Sequence, residues 1–210
     1  MLRAVLRDIR AAGTPLAVLY PATLPYYRSA GFARAGSRIT YSLPLASIDI
    51  AGGADIIPAD ETDEATCRAL YTHRARRCSG QLDRPDWLWR YRFAPPEKRA
   101  FRFLAVGDGQ PEGYLVYYQG ERSEPITITD VCALTPGAGR AILGLLGSYR
   151  SMVDDVVWHG GPLDPLLYLL DDSLVAGARQ KWRVLRHYDW MLRIVDVAAA
   201  LTERGYPPDV

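Results

Sequence analysis

Lysine is nearly missing from this sequence: it stands only at positions 98 and 181, and arginine carries almost all of the positive charge. We read that skew as base composition and not as chemistry. A bias of charge is missing too, since 25 Lys and Arg face 24 Asp and Glu. A net charge of +1 lacks the basic stripe that a nucleic-acid binder shows, so no nucleic-acid partner is expected. Cysteine is scarce. Cys67, Cys78 and Cys132 form no Cys-x-x-Cys and leave one thiol over in any pairing, which favours a reducing compartment. Long apolar runs are also absent, because charges or prolines break each one before the ~18–20 residues a membrane span requires. Arg3, Asp8 and Arg10 interrupt the first ten residues, which rules out a signal-peptide core there. A cytoplasmic protein without a membrane partner is the expectation.

What is present is an ordinary globular composition, 49% hydrophobic over 210 residues. That length exceeds one typical domain and falls short of two. A fold of this size buries roughly 70% of its unfolded surface and needs no metal or disulfide to hold it.

Leu2, Val5, Leu6 and Ile9 recur at helical spacing, with Arg3, Arg7 and Arg10 opposite, and predict a helix that Gly13 and Thr14-Pro15 end. Residues 16–20 are continuously apolar, as in a strand buried on both faces. Residues 21–30 read as a loop entering a short helix, with Pro25 in its first turn and Gly31 just past its end. Residues 32–43 predict two antiparallel strands turning near Gly36-Ser37. Residues 46–54, small and polar with Gly52-Gly53, read as a linker.

Beyond it, helices are expected over 61–78 and 85–93. A hairpin is expected around residues 107–112, and a strand over 126–134. Thr135-Pro136 then cap and open a helix running to about Met152. A strand over 153–158, a short helix over 165–170 and two strands over 179–195, turning near His187 to Asp189, complete the reading. The fold class is α/β with a mixed, partly parallel sheet. The order helix, strand, short helix, two strands occurs at 2–43 and again at 136–195, as in two copies of one architecture.

One string carries chemistry. Leu19-Tyr20-Pro21-Ala22-Thr23-Leu24-Pro25-Tyr26-Tyr27-Arg28-Ser29-Ala30-Gly31-Phe32 runs from a strand through a loop into a short helix, with Tyr27 four residues before Gly31-Phe32. It resembles the Tyr-x-x-x-Gly-Phe/Tyr motif of the GNAT superfamily of acyl-CoA-dependent N-acetyltransferases. Over the whole chain the order of strings resembles the enhanced-intracellular-survival branch of that superfamily. Its members join a GNAT domain, a second GNAT-like domain without cofactor, and a sterol-carrier-like domain.

The resemblance implies that residues 1–45 are the last part of the first domain, 46–54 the linker, 55–196 the second domain and 197–210 a connector to the third. It implies acetyl-CoA as cosubstrate and a primary amine of a small molecule or a lysine as acceptor, in a homo-oligomeric enzyme. Tyr27 matches the residue that protonates the departing thiolate, and a phenol suits that task because it stays protonated at neutral pH. Ala22, Thr23 and Arg28 fall at cofactor contacts. The superfamily's pyrophosphate loop precedes the helix that here begins at Leu2, and the branch's base is a terminal carboxylate of the third domain. This chain by itself is therefore expected to be inactive, with apolar surface exposed at Leu2, Val5, Leu6 and Ile9. A non-catalytic scaffold is the alternative reading.

Other candidates carry less. Gly137-Ala138-Gly139-Arg140 opens a helix like a phosphate loop, but it is short and Pro136 removes a donor. His73, His159 and His187 show no metal-ligand spacing, and no metal site is expected. Trp87, Trp89, Tyr91 and Phe93 read as packing residues on a sheet or another subunit. Asp154-Asp155 and Asp171-Asp172 read as turn or cap residues. The cysteines read as small apolar packing.

Overall fold

The computed structural model describes the chain apart from residues 79, 95–98, 122–123, 163, 171–182 and 205–210, and apart from the side chains of 186–188. Its elements begin α1 (Leu2–Ala11), β1 (Leu16–Leu19), α2 (Leu24–Ser29), β2 (Ala33–Pro44) and β3 (Asp55–Pro58). They continue α3 (Glu64–Ala75), α4 (Asp86–Phe93), β4 (Ala100–Gly107), β5 (Gln110–Gln119) and β6 (Ile126–Ala133). The last are α5 (Pro136–Ser148), β7 (Asp155–Gly160), β8 (Arg183–Ile194) and α6 (Val197–Glu203). The expected pair Asp171-Asp172 and residues 179–182 lie outside the described residues, as does the end of the connector. The mixed α/β class holds.

The chain divides into two compact units, one of Met1–Ile39 with Arg186–Val210 and one of Thr40–Leu185. In the first, β8 lies between β1 and β2. It pairs antiparallel with β1, from Leu16 opposite Ile194 to Leu19 opposite Met191. The period-2 alternation of a strand turns Ala17, Leu19 and Met191 to one face. There they meet buried Leu6 of α1 and Phe32, with Leu2, Leu24 and Tyr27 packed around them.

Two expectations change here. The α1 stripe is only partly open: Leu6 is buried at 7% exposed, Leu2 and Ile9 are half-buried, and Val5 is 46% exposed. On β1, Leu16 and Val18 are exposed as well. That strand is covered on one face only and is not buried on both.

β2 and β8 are each one continuous twelve-residue strand where a turn is expected in each. The residues that read as turn formers serve cross-strand contacts instead. Gly36 leaves room for the Trp190 indole, which would lie 2.4 Å from a Cβ built there. Ser37 Oγ donates to Asp189 Oδ1 at 2.9 Å, and Arg34 Nε lies 3.3 Å from Asp189 Oδ2. A short polar run between apolar residues looks the same in sequence whether it bends the chain or bridges strands.

The second unit is an antiparallel meander, β3 to β6, followed by β7 parallel to β6 and then the end of β2. The β4–β5 hairpin closes on Asp108-Gly109, both at positive φ, as a two-residue turn of this sequence favours. α3 and α4 contribute Cys67, Leu70, Tyr71, Trp89 and Phe93 to a core with Leu104, Tyr114, Val116 and Cys132. α5 buries Ile142, Leu143 and Leu146. Residues 46–54 are not a loose linker: Ile48 is buried, and Ala54 N–H donates to the Gly137 carbonyl at 3.2 Å. The smallness of this stretch and of Gly144 and Gly147 lets backbone lie directly along α5.

Candidate functional site

The local backbone explains the spacing of the tyrosine string. α2 is a short helix with proline in its first turn, and its end forms a Schellman cap. Phe32 N–H donates to the Tyr27 carbonyl at 3.1 Å and Gly31 N–H to the Arg28 carbonyl at 2.9 Å. The cap requires a left-handed residue after the helix, and Gly31 supplies it at φ 82°. It also brings together the side chains on either side of the turn: the Tyr27 and Phe32 rings meet edge to face, 5.9 Å between centroids. Tyr-x-x-x-Gly-aromatic is therefore a helix stop with its apolar clasp. Tyr26 adds a second edge contact to Tyr27 at 5.2 Å.

Tyr27 is half-buried, its ring packed against the Leu6, Phe32 and Met191 cluster. Its hydroxyl makes no hydrogen bond among the described residues. A phenol with a fixed ring and an unengaged hydroxyl can give a proton to a ligand. Ala22, Thr23 and Arg28 are exposed on the same segment, and the Thr23 side chain does not cap the helix it precedes. These are the features a ligand-facing loop would need.

The α5 start offers no such opening. Thr135 Oγ accepts from Ala138 N–H at 3.1 Å and donates to Glu112 Oε2 at 2.6 Å, so its amides are already capped beside a carboxylate. The glycines of 137–139 serve packing, with Leu169 lying over Gly139. His73, His159 and His187 lie on three separate elements, α3, β7 and β8, and His159 Nδ1 bonds Thr40 Oγ at 2.9 Å. On α4, Trp89 and Phe93 are buried, whereas Trp87 and Tyr91 are 63% and 60% exposed.

One cluster has no counterpart in the sequence reading. Arg84 meets both oxygens of Asp130, whose Oδ2 also accepts from the Tyr114 hydroxyl at 2.7 Å. The guanidinium stacks 3.6 Å over Tyr71 and 4.8 Å over Trp89, beside a hollow of about 310 Å³. Burial alone would lower the Arg84 pKa, but the bond to Asp130 and its charge prevail and raise it. Burial, with the Asp130 charge beside it, pushes the Tyr114 hydroxyl well up. A signal was available: Ile126, Ile128 and Cys132 alternate inward on β6, and Asp130 falls on the same face. An aspartate among inward residues demands a partner.

Residues 80–194 match the model of the acetyltransferase (GNAT) domain. N-acetyltransferase Eis of Mycobacterium tuberculosis is 31% identical over 153 residues, covering 68% of this chain and 34% of that protein. An uncharacterized N-acetyltransferase of Streptomyces avermitilis is 28% identical over 100% of this chain and 55% of its own length. The crystal structure of a GCN5-related N-acetyltransferase from Anabaena variabilis aligns with TM-score 0.86 at 30% identity, over 98% of this chain and 52% of that one. Eis1 of Mycobacterium abscessus aligns with TM-score 0.68 at 25% identity, over 96% of this chain and 53% of that one. The chain thus spans from a third to about half of these curated relatives, and Tyr27 lies outside the stretch matched by the domain model.

Proposed function

The chain belongs to the GNAT acetyltransferase family, and from that membership we propose that it takes part in acetyl-CoA-dependent transfer of an acetyl group to a primary amine. The acceptor is a small-molecule amine or a lysine side chain, and the working enzyme is a homo-oligomer in the cytoplasm. Tyr27 is the general acid. The amine nitrogen forms a bond to the thioester carbonyl carbon, the carbon–sulfur bond breaks, and the sulfur takes the Tyr27 hydroxyl proton. The attacking nitrogen gives its own proton to a base outside this assignment. Ala22, Thr23 and Arg28 hold the cosubstrate, the arginine by its charge and the loop by its exposed backbone.

A single observation supports this most: the Tyr27 hydroxyl is unengaged among the described residues while its ring is clasped by Phe32. We also propose that residues 1–45 and 55–196 descend from two copies of one architecture. The succession α1, β1, α2, β2 and the succession α5, β7, the short helix Pro165–Leu169, β8 support that division. A second reading is favoured by the capped start of α5: the second unit is a GNAT-like scaffold that binds no cosubstrate.

The test is the release of thiol from acetyl-CoA in the presence of primary amines by a parent protein that carries this chain within the full length of its relatives, with Tyr27→Phe made in the same protein. General-acid loss lowers turnover by about 10²–10⁴-fold with little change in acetyl-CoA affinity. Equal turnover in Tyr27→Phe removes the tyrosine from the mechanism. A parent rate no faster than the uncatalysed reaction favours the scaffold.

A further inference from the structure

The first unit holds a groove of about 590 Å³ that the acetyl-transfer reading does not use. Arg3, Arg7 and Arg10 of α1 line one side, Arg193 of β8 and the turn at Gly31 the other, and no lining residue is acidic. Arg10 finds a carboxylate beside the groove, Asp196 at 3.6 Å. The others do not. Arg7 Nε reaches only the Arg3 carbonyl, at 3.4 Å. Arg193 is half-buried, and its guanidinium makes no ion pair or hydrogen bond among the described residues. It rests on the face of Gly31, where a Cβ would lie 2.6 Å from its Nη1.

Such an arrangement costs stability by itself. Like charges one turn apart on a helix repel, and a half-buried guanidinium without a counter-charge loses hydration without recompense. A multiply charged oxyanion removes both penalties, because each guanidinium presents a fork of N–H donors matched to phosphate oxygens. The volume is that of a small-ligand site, and the arginine lining excludes an apolar occupant.

We propose that this groove binds a small ligand carrying two or more phosphate groups, at a site separate from the acetyl donor's contacts. Ala22 and Thr23 stand before the first turn of α2, whereas the groove is bounded by Ser29, Ala30 and Gly31 at its other end; Arg28, in the last turn beside them, does not line the groove. The inference does not depend on the role of Tyr27.

Tripolyphosphate serves as the probe, titrated calorimetrically into the 210-residue chain at low ionic strength. Saturable binding is expected, weakened about tenfold or more in Arg193→Gln, and similarly in Arg7→Gln, whose exposed position on α1 keeps folding out of question. Arg28→Gln, at the proposed donor contact, binds the probe like the parent. In the protein extended to the length of its relatives, Arg193→Gln leaves thiol release from acetyl-CoA at the parent rate, so this proposal and the catalytic one fail separately. Absence of binding overturns the proposal, as does equal binding by Arg193→Gln and Arg7→Gln. Displacement of the probe by CoA also overturns it, because the groove would then hold the donor's own phosphates.

Discussion

Arg84 and Asp130 form a two-pronged ion pair, Nη1 to Oδ2 at 2.5 Å and Nη2 to Oδ1 at 3.0 Å, with side chains only 11% and 6% exposed. The pair joins the loop before α4 to the middle of β6, across a core otherwise made of aromatic and aliphatic groups. Removing either partner leaves the other charged and dehydrated. Arg84→Ala or Asp130→Ala should each cost about 3–5 kcal/mol in urea unfolding followed by tryptophan fluorescence. The double variant should cost little more than either single one, because the two act as a unit. Additive losses would show that the pair is not coupled.

Tyr114 donates to the same carboxylate, and its hydroxyl is buried. Tyr114→Phe should destabilise by about 1–3 kcal/mol, the range for a buried bond to a charged acceptor. An unchanged unfolding midpoint would assign Asp130 wholly to Arg84.

The thiols differ sharply in access. Cys78 is exposed, while Cys67 and Cys132 are buried. Burial pushes the Cys67 thiol up to about 12 and the Cys132 thiol up to about 11. A disulfide reagent at pH 8 should therefore titrate one thiol quickly and the other two only in denaturant. Rapid reaction of all three in the native protein would contradict the packing of β6 on α3.

The same thiols set an alkaline limit. Above about pH 9 an unfolded chain gives up thiol protons that the folded chain still holds, so the unfolded state binds fewer protons. Stability is then fully present below pH 9 and falls as pH rises toward the folded values near 11 and 12. Thermal melts at pH 8, 9 and 10 should show a falling midpoint that Cys67→Ser with Cys132→Ser flattens, whatever the double change costs at pH 8. An identical slope in that variant would place the alkaline sensitivity elsewhere.

Gly31 combines a left-handed backbone with contact to Arg193. Gly31→Ala should cost about 1–2 kcal/mol from backbone strain alone, and Gly31→Asn less. Circular dichroism melts compare the two, and equal stability of alanine and glycine would mean that α2 ends in another way.

Much of the fold is legible residue by residue. Thr135-Pro136, Asp108-Gly109 and Tyr27 with Gly31-Phe32 state local geometry, because each cap or turn depends on a few adjacent residues. What the residues do not state is who lies next to whom. Gly36-Ser37 and Asp189 look like bends because the partner that uses them is about 150 residues away, as the Ser37–Asp189 bond shows by its separation of 152. Asp130 escapes notice for the same reason, its arginine being 46 residues distant. The tyrosine at the candidate site is visible in the string; that its hydroxyl bonds none of the described residues is visible only in three dimensions.

The insertion of β8 between β1 and β2 carries a consequence for synthesis. During translation, the first forty residues emerge early but cannot close their sheet until residue 194 has left the ribosome. The nascent opening helix and its strand must wait through the making of everything in between. In that interval the edges of β1 and β2 that β8 later covers stay unpaired with it, and open edges of this kind are where nascent chains aggregate.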